Sequence, residues 1–438
     1  MRYSNLVFFF ILLQLSFFSC KEKNSLIDKE EGINVKNELF KDTIYKLTDS
    51  KVNSEGVFIF NSGTEILMNW TEWSKESNKN ILKFSFFDTI SQKFMKPISI
   101  PPSKGLQMHA ESMAKVGVTA EGVLYAIFRL KSKSRKTMYG GTMYYTISAD
   151  KGKTWSDKIK LVADESSDSQ SFYDISILPD GEIGITWLDS RKPIHKNNKG
   201  KTLYFAKTNT DKGFYKEIPI AGSTCECCRT DIYIDKNKKI HVAYRNIIEK
   251  TEDFSNTNFT LSDVEIRDMY YVSSDDNGKI FSKPIPISND NWHMNGCPHT
   301  GPSLAQKGSD LAAVWFTAAN NTKGIFFTTK NNGKFNERKL LSAEGRHPQM
   351  IEAVGKYFVV YEMYYELEDI GYTKIVLEEI KSSIKDKIKR EVSDLKTNNN
   401  HAVISSINDS TILIAWINKN TRNPRLVYKL MSNTNLNI

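Results

Sequence analysis

Residues 182–187 read EIGITW, and six further stretches repeat that character. They are EILMNW at 65–70, VLYAIF at 123–128, IHVAYR at 240–245, LAAVWF at 311–316, YFVVYE at 357–362 and TILIAW at 411–416. Each is a β-prone run with an aromatic near its end: Trp70, Phe128, Trp187, Tyr244, Trp315, Tyr361 and Trp416. Successive spacings are 58, 59, 57, 71, 46 and 55 residues, a period that marks one repeating architecture rather than unrelated domains. A short apolar strand and a turn, such as Pro179-Asp180-Gly181 or Ala120-Glu121-Gly122, precede each run. A third strand follows (LKFSFF, MYYTIS, LYFAKT, MYYVSS, GIFFTT, LVYKL), and often a fourth (PISI, KIKLV, EIPI, PIPI).

A unit of four short strands cannot bury both faces alone, so the units must stack around an axis. The pattern predicts an all-β chain forming a seven-bladed β-propeller of four-stranded blades. The seventh unit shows three strands, and Thr43-Ile44-Tyr45-Lys46-Leu47 is placed to supply the fourth from the other end of the chain. The alternative is a six-bladed propeller with an N-terminal β-appendage. The extra length of the fourth unit, roughly 247–265, is polar and reads as a surface insertion.

Composition agrees with one large repetitive domain. Across 438 residues, 40% hydrophobic and 25% charged content exclude a globally disordered chain. A multi-pass membrane protein is excluded because the one long apolar run is at the N-terminus. The net charge of +9, from 60 Lys+Arg against 51 Asp+Glu, is spread along the chain. It suits an anionic polysaccharide, with no stripe dense enough for nucleic acid.

Residues 1–19 have the form of a signal peptide: Arg2, then an apolar core from Leu6 to Phe18, too short to span a bilayer. Ser19-Cys20 resembles a bacterial lipobox, with Phe17 where that motif has an aliphatic residue. The resemblance implies lipidation at Cys20, a polar tether over 20–42 and a propeller over 43–438, held at the outer membrane or cell surface.

Between the third and fourth strands of the second unit lies Ser148-Ala149-Asp150-Lys151-Gly152-Lys153-Thr154-Trp155. It resembles the Asp-box, S-x-D-x-G-x-T-W, of the sialidase-like (BNR repeat) propellers, and Ser274–Phe281 is a weaker copy. The resemblance covers nearly the whole mature chain and implies the propeller fold. It is silent on activity, because these turns sit on the outer rim. Sialidases hold a carboxylate with three arginines, the first on the first blade, and no arginine occurs between Cys20 and Phe128.

The residues with chemistry gather at equivalent repeat positions. Cys225, Cys227 and Cys228 (CECCRTD) and Cys297 (NWHMNGCPHTGP) precede the first strands of units four and five. His109, His293, His299, His347 and His401 stand at similar entrances, which a propeller gathers at one mouth of its channel. Thiolate and imidazole together suit copper or zinc. Disulfides linking the cysteines, or a reactive thiol, compete with that metal site. A glycan-active reading uses the same funnel. Glu111, Asp174 and Asp231 lie near entrances, with Asp189 and Glu362 after second strands, as material for a glycosidase carboxylate pair. A set of His, Tyr and Arg would instead suit proton abstraction from a uronic acid, as in a polysaccharide lyase.

Overall fold

The computed structural model describes residues 43–432 other than 50, 133–139, 168, 192–198, 249–264, 295, 320–321, 381–386 and 421. The leader, Cys20 and most of the fourth-unit insertion therefore lie outside the described residues.

Seven antiparallel sheets form the seven blades. From the innermost strand outward, blade one comprises Asn53–Asn61, Ile66–Ser74, Lys79–Asp88 and Ile98–Ile100. Blade two comprises Lys115–Val118, Leu124–Lys131, Gly141–Ser148 and Ile159–Lys160. Blade three is built from Gln170–Ile177, Ile183–Asp189, Lys201–Thr208 and Phe214–Thr224. In blade four the strands are Asp231–Ile234, Ile240–Arg245, Met269–Ser274 and Ile285–Pro286. Blade five has Ser303–Lys307, Asp310–Thr317, Gly324–Asn331 and Lys339–Ser342. Blade six has Gly345–Ala353, Lys356–Leu367, Ile370–Ile380 and Lys387–Glu391.

Blade seven supplies three strands from the C-terminal end, Asn399–Asn408, Thr411–Asn418 and Arg425–Ser432, and borrows Tyr45–Lys46 as its fourth. Tyr45 pairs with Tyr428 and Lys46 with Val427, and the two tyrosine rings stack at 5.0 Å. The closing strand is thus the one expected from the sequence, and the blade number is seven.

The repeated aromatics sit between blades. Trp70, Trp187, Trp315 and Trp416 are fully buried, and each indole N–H has an acceptor: Glu72, Asp189, Asp290 and Asn399. Truncating such a residue to alanine costs about 3–5 kcal/mol.

Polar side chains fasten every junction between blades. Asn69 of blade one bonds Ala114 O and Val116 N–H of blade two, both at 2.8 Å, as if it were another strand. Lys115 of blade two donates to Asp174 of blade three at 2.7 Å, and Asp174 also accepts from Ile232 N–H of blade four. Asp231 accepts from Leu304 N–H of blade five, and Ser303 from Met350 N–H of blade six. Glu362 accepts from His401 N–H of blade seven, and Asn61 donates back to Ser406 O.

Four innermost strands begin with the same bulge. The register shifts between Glu55 and Phe58, Ser171 and Asp174, Arg346 and Gln349, and Asn400 and Val403. In each the residue after the first of the pair is left-handed: Gly56 (φ 66), Phe172 (φ 50), His347 (φ 50) and His401 (φ 52). Glycine takes this conformation freely; phenylalanine and histidine do so at a cost of order 1 kcal/mol or more, a strain that clusters at functional sites.

Candidate functional site

Because each blade is a meander starting at the axis, the starts of inner strands and the loops after second strands share one face. The Asp-box turns lie on the other. There Asp150 accepts from Ser148 Oγ, Thr154 N–H and Thr154 Oγ1, which hold its carboxyl down at about 2. Gly152 is left-handed (φ 85), and a side chain there would meet the ring of Phe84 at 2.7 Å. Ser274, Asp276 and Gly278 repeat the arrangement.

On the entrance face, Arg229 crosses the axis. Its Nε donates to Glu111 of blade two at 3.1 Å, Nη1 to Pro302 O at 3.2 Å and Nη2 to Pro348 O at 2.7 Å. One buried guanidinium thereby joins segments leading into or belonging to blades two, four, five and six.

Around this strut the candidate ligands fall into three groups, each with its donor atoms within 4.8 Å of one another: Cys225, Cys227 and Cys228; Cys227, Cys297 and His299; and Glu111, His347 and His401. The first trio is buried, with Sγ of Cys225 at 3.7 Å from Cys227 and 3.5 Å from Cys228. Among the described residues no disulfide joins Cys225, Cys227, Cys228 and Cys297. Arg267 donates to Cys225 Sγ at 3.1 Å. Hydrogen bonds from the neighbouring thiols, and then that guanidinium, favour the Cys225 thiolate, while burial pushes Cys228 up to about 12. Three converging soft donors, one of them biased towards its thiolate, fit a thiophilic cation such as zinc or copper(I).

Two imidazole pairs flank the strut. The His109 ring lies 5.4 Å from that of His299 and meets Phe172 edge-on at 5.3 Å. His109 Nδ1 accepts from Glu111 N–H at 3.2 Å, leaving its proton on Nε2. Burial, then the charges of Arg129 and His299, lower His109 to about 4, so it is a neutral hydrogen-bond donor at physiological pH. His347 and His401 stack at 5.2 Å. Burial disfavours charge on His347, but the Glu362 carboxylate 3.1 Å from Nδ1 outweighs it and raises the pKa. His401 moves the other way, lowered by burial and by the charge of His347. One member of this pair therefore favours the proton and the other gives it up.

The remaining sequence candidates lie elsewhere. His293 is exposed on a two-residue strand, His293–Met294, paired with Glu265–Ile266, and belongs to none of the three groups. Asp174 and Asp231 are engaged in fastening blades, and Asp189 in binding Trp187 and Arg191. Burial, then the charge of Asp174, pushes Asp231 up to about 7.

Sequence reasoning did not find Phe172, Arg129, Lys201 or Lys323. The first sits at the bulge position shared with His347 and His401, so lining up the inner strands would have found it. The other three are cations at strand ends with no motif of their own.

A hollow of about 700 Å³ lies on the rim against Phe86, Ile98 and Trp155 and has no acid or imidazole in its lining. The chemistry faces two smaller hollows that share Lys323, Arg346 and His347. One, of about 340 Å³, extends to Glu362 and Tyr364, and the other, of about 290 Å³, to Trp292, Phe316 and Cys297. Cations interleaved with aromatic faces form a surface that suits anionic sugars.

No family model and no curated protein matches this chain. Among solved structures, the fold is similar to a polysaccharide lyase, Uly1, at 10% identity over 86% of this chain and 90% of that one, with a TM-score of 0.54. It is similar to a family PL25 ulvan lyase bound to -[GlcA(1-4)Rha3S]-, at 10% identity over 86% and 91% of the two chains, TM-score 0.53. A Hadza microbial sialidase, Hz136, aligns at 10% identity over 81% and 73%, TM-score 0.45.

Proposed function

We propose that this chain is a polysaccharide lyase acting on an acidic glycan at the entrance face of the propeller. The observation that carries this reading is the stacked pair His347 and His401, with opposite proton preferences beside a cleft of cations and aromatics. In β-elimination His401 takes the proton from the carbon next to the uronate carboxyl, and a carbon–carbon double bond forms as the glycosidic C–O bond breaks. His347, whose proton the Glu362 carboxylate helps to hold, gives it to the departing oxygen, and the two imidazoles then exchange protons with solvent. The fold likeness to lyases, which rests on architecture alone, accords with this chemistry.

The test is incubation with uronate-containing polysaccharides while following the ultraviolet absorbance of the unsaturated product. A signal abolished by His401→Ala and by His347→Ala, in folded protein, supports elimination. New reducing ends without that absorbance would replace it with glycoside hydrolysis.

A second reading concerns the thiols. The convergence of Cys225, Cys227 and Cys228, with Cys297 and His299 adjacent to Cys227, favours a bound zinc or copper ion that stabilises the loop entering blade four. Elemental analysis and thiol counting on Cys20→Ser protein test it. About one ion per chain, lost in Cys225→Ser/Cys227→Ser, supports the site; metal-free protein after reconstitution overturns it. The leader further supports export and lipid attachment at Cys20, which labelling with a fatty-acid analogue would test.

A further inference from the structure

Arg129 lies two residues before the end of the second strand of blade two, and Lys201 starts the third strand of blade three, both towards the entrance face. Arg129 is buried, its stem lying over Gly141, where a Cβ would be 2.3 Å from Arg129 Cδ. Lys201 reaches only hydroxyls, Ser171 Oγ at 2.9 Å and Ser169 Oγ at 3.2 Å. Among the described residues neither cation is in an ion pair, and Arg129 Nε has no hydrogen-bond partner. The charge of Arg129 nevertheless reaches both Lys201 and His109.

Two neighbouring, poorly hydrated cations repel each other and are costly to bury without an anion. The chain supplies none nearby in sequence. Residues 129–141 contain Arg129, Lys131, Lys133, Arg135 and Lys136, and residues 190–201 contain Arg191, Lys192, Lys196, Lys199 and Lys201. Neither stretch holds an Asp or Glu. The carboxylates whose charge reaches Lys201 are Glu226 and Asp189; neither is within ion-pair distance of it, and Asp189 is taken by Trp187, Arg191 and Ser167.

We propose that Arg129 and Lys201, with Ser169 and Ser171, form a binding pocket for one anionic substituent, a carboxylate or a sulfate ester, on a sugar seated beside His109 and Phe172. This deepens the lyase reading and shares its substrate class, but it places the recognition of charge on blades two and three, away from the His347 and His401 pair. The bidentate guanidinium supplies geometry and the ammonium a point charge.

The experiment is calorimetric titration, at fixed ionic strength, of full-length protein with three oligosaccharides. One carries uronate carboxylates, one is its carboxyl-reduced form, and one is carboxyl-reduced but sulfated. Lys201→Gln and Arg129→Lys are compared with Lys279→Gln in the opposite-face turn of blade four. The pocket is supported if the two site variants bind a charged ligand roughly tenfold or more weakly and the control does not. The charged ligand that loses affinity identifies carboxylate or sulfate. Equal affinity in wild type and Lys201→Gln for both charged ligands overturns it. If Arg129→Lys does not fold, Lys201→Gln alone decides. Binding that follows this pattern without cleavage would remove the lyase reading and leave the pocket; cleavage with unchanged KM in Lys201→Gln would do the reverse.

Discussion

Arg229 and Glu111 meet at 3.1 Å across the propeller axis, although their blades are not neighbours. Both are buried, and the same guanidinium holds the carbonyls of Pro302 and Pro348. Fasteners between adjacent blades fix each junction; this strut fixes the diameter of the mouth. Arg229→Met leaves a buried carboxylate and two carbonyls without their donor, and should destabilise the fold by about 3–5 kcal/mol in denaturant titration. Adding Glu111→Gln should recover part of that loss, a non-additivity expected of residues in contact.

The buried acids at the blade junctions should respond differently to substitution. Asp231 has its pKa raised to about 7, so the native state favours its protonated form. Its contribution is favourable at low pH and is lost as the pH rises from about 4 to about 7. Asp231→Asn should therefore match wild type near pH 4 and exceed it at pH 8 by about 1 kcal/mol or more. Asp174→Asn should cost about 3–5 kcal/mol at neutral pH, because Lys115 loses the buried carboxylate it contacts at 2.7 Å. Urea titrations at the two pH values separate these outcomes.

A pH profile tests the imidazole pair. The pKa of His347 is raised above 6.5, so its ionic contact with Glu362 is fully present below that pH and is lost as the pH climbs through the raised value. If His347 is the proton donor, turnover should fall on that alkaline limb. Glu362→Gln should move the limb to lower pH, and His347→Gln should abolish it.

His109 should act in the acid range. Its pKa is lowered to about 4, so the fold must lose stability as the pH falls from about 6.5 towards 4, where the unfolded chain takes up a proton first. In His109→Asn this part of the pH dependence should disappear, as followed by thermal unfolding at several pH values.

The fold was legible because a propeller repeats one solution seven times. EIGITW and its relatives mark the second strands, the aromatics the buried layer, and Thr43–Leu47 the missing fourth strand. The site was legible in part, because repeat position maps to channel mouth, which gathered the cysteines and four of five entrance histidines. What stayed hidden depends on side-chain reach across blades. Nothing local distinguishes Asp174, which clamps Lys115 and Ile232, from a catalytic acid. Nothing at Arg129 or Lys201 marks a cation outside any ion pair, since that fact belongs to the surroundings.

The borrowed strand has a consequence for biogenesis. Tyr45 and Tyr428 pair across 383 positions, so the last junction waits until the chain has been made as far as Tyr428. Contacts so distant in sequence form slowly, and until they do blade seven presents an unpaired edge. A nascent or truncated chain is then an open arc, vulnerable to edge-to-edge association, and the latch of two residues turns that arc into a ring with no beginning.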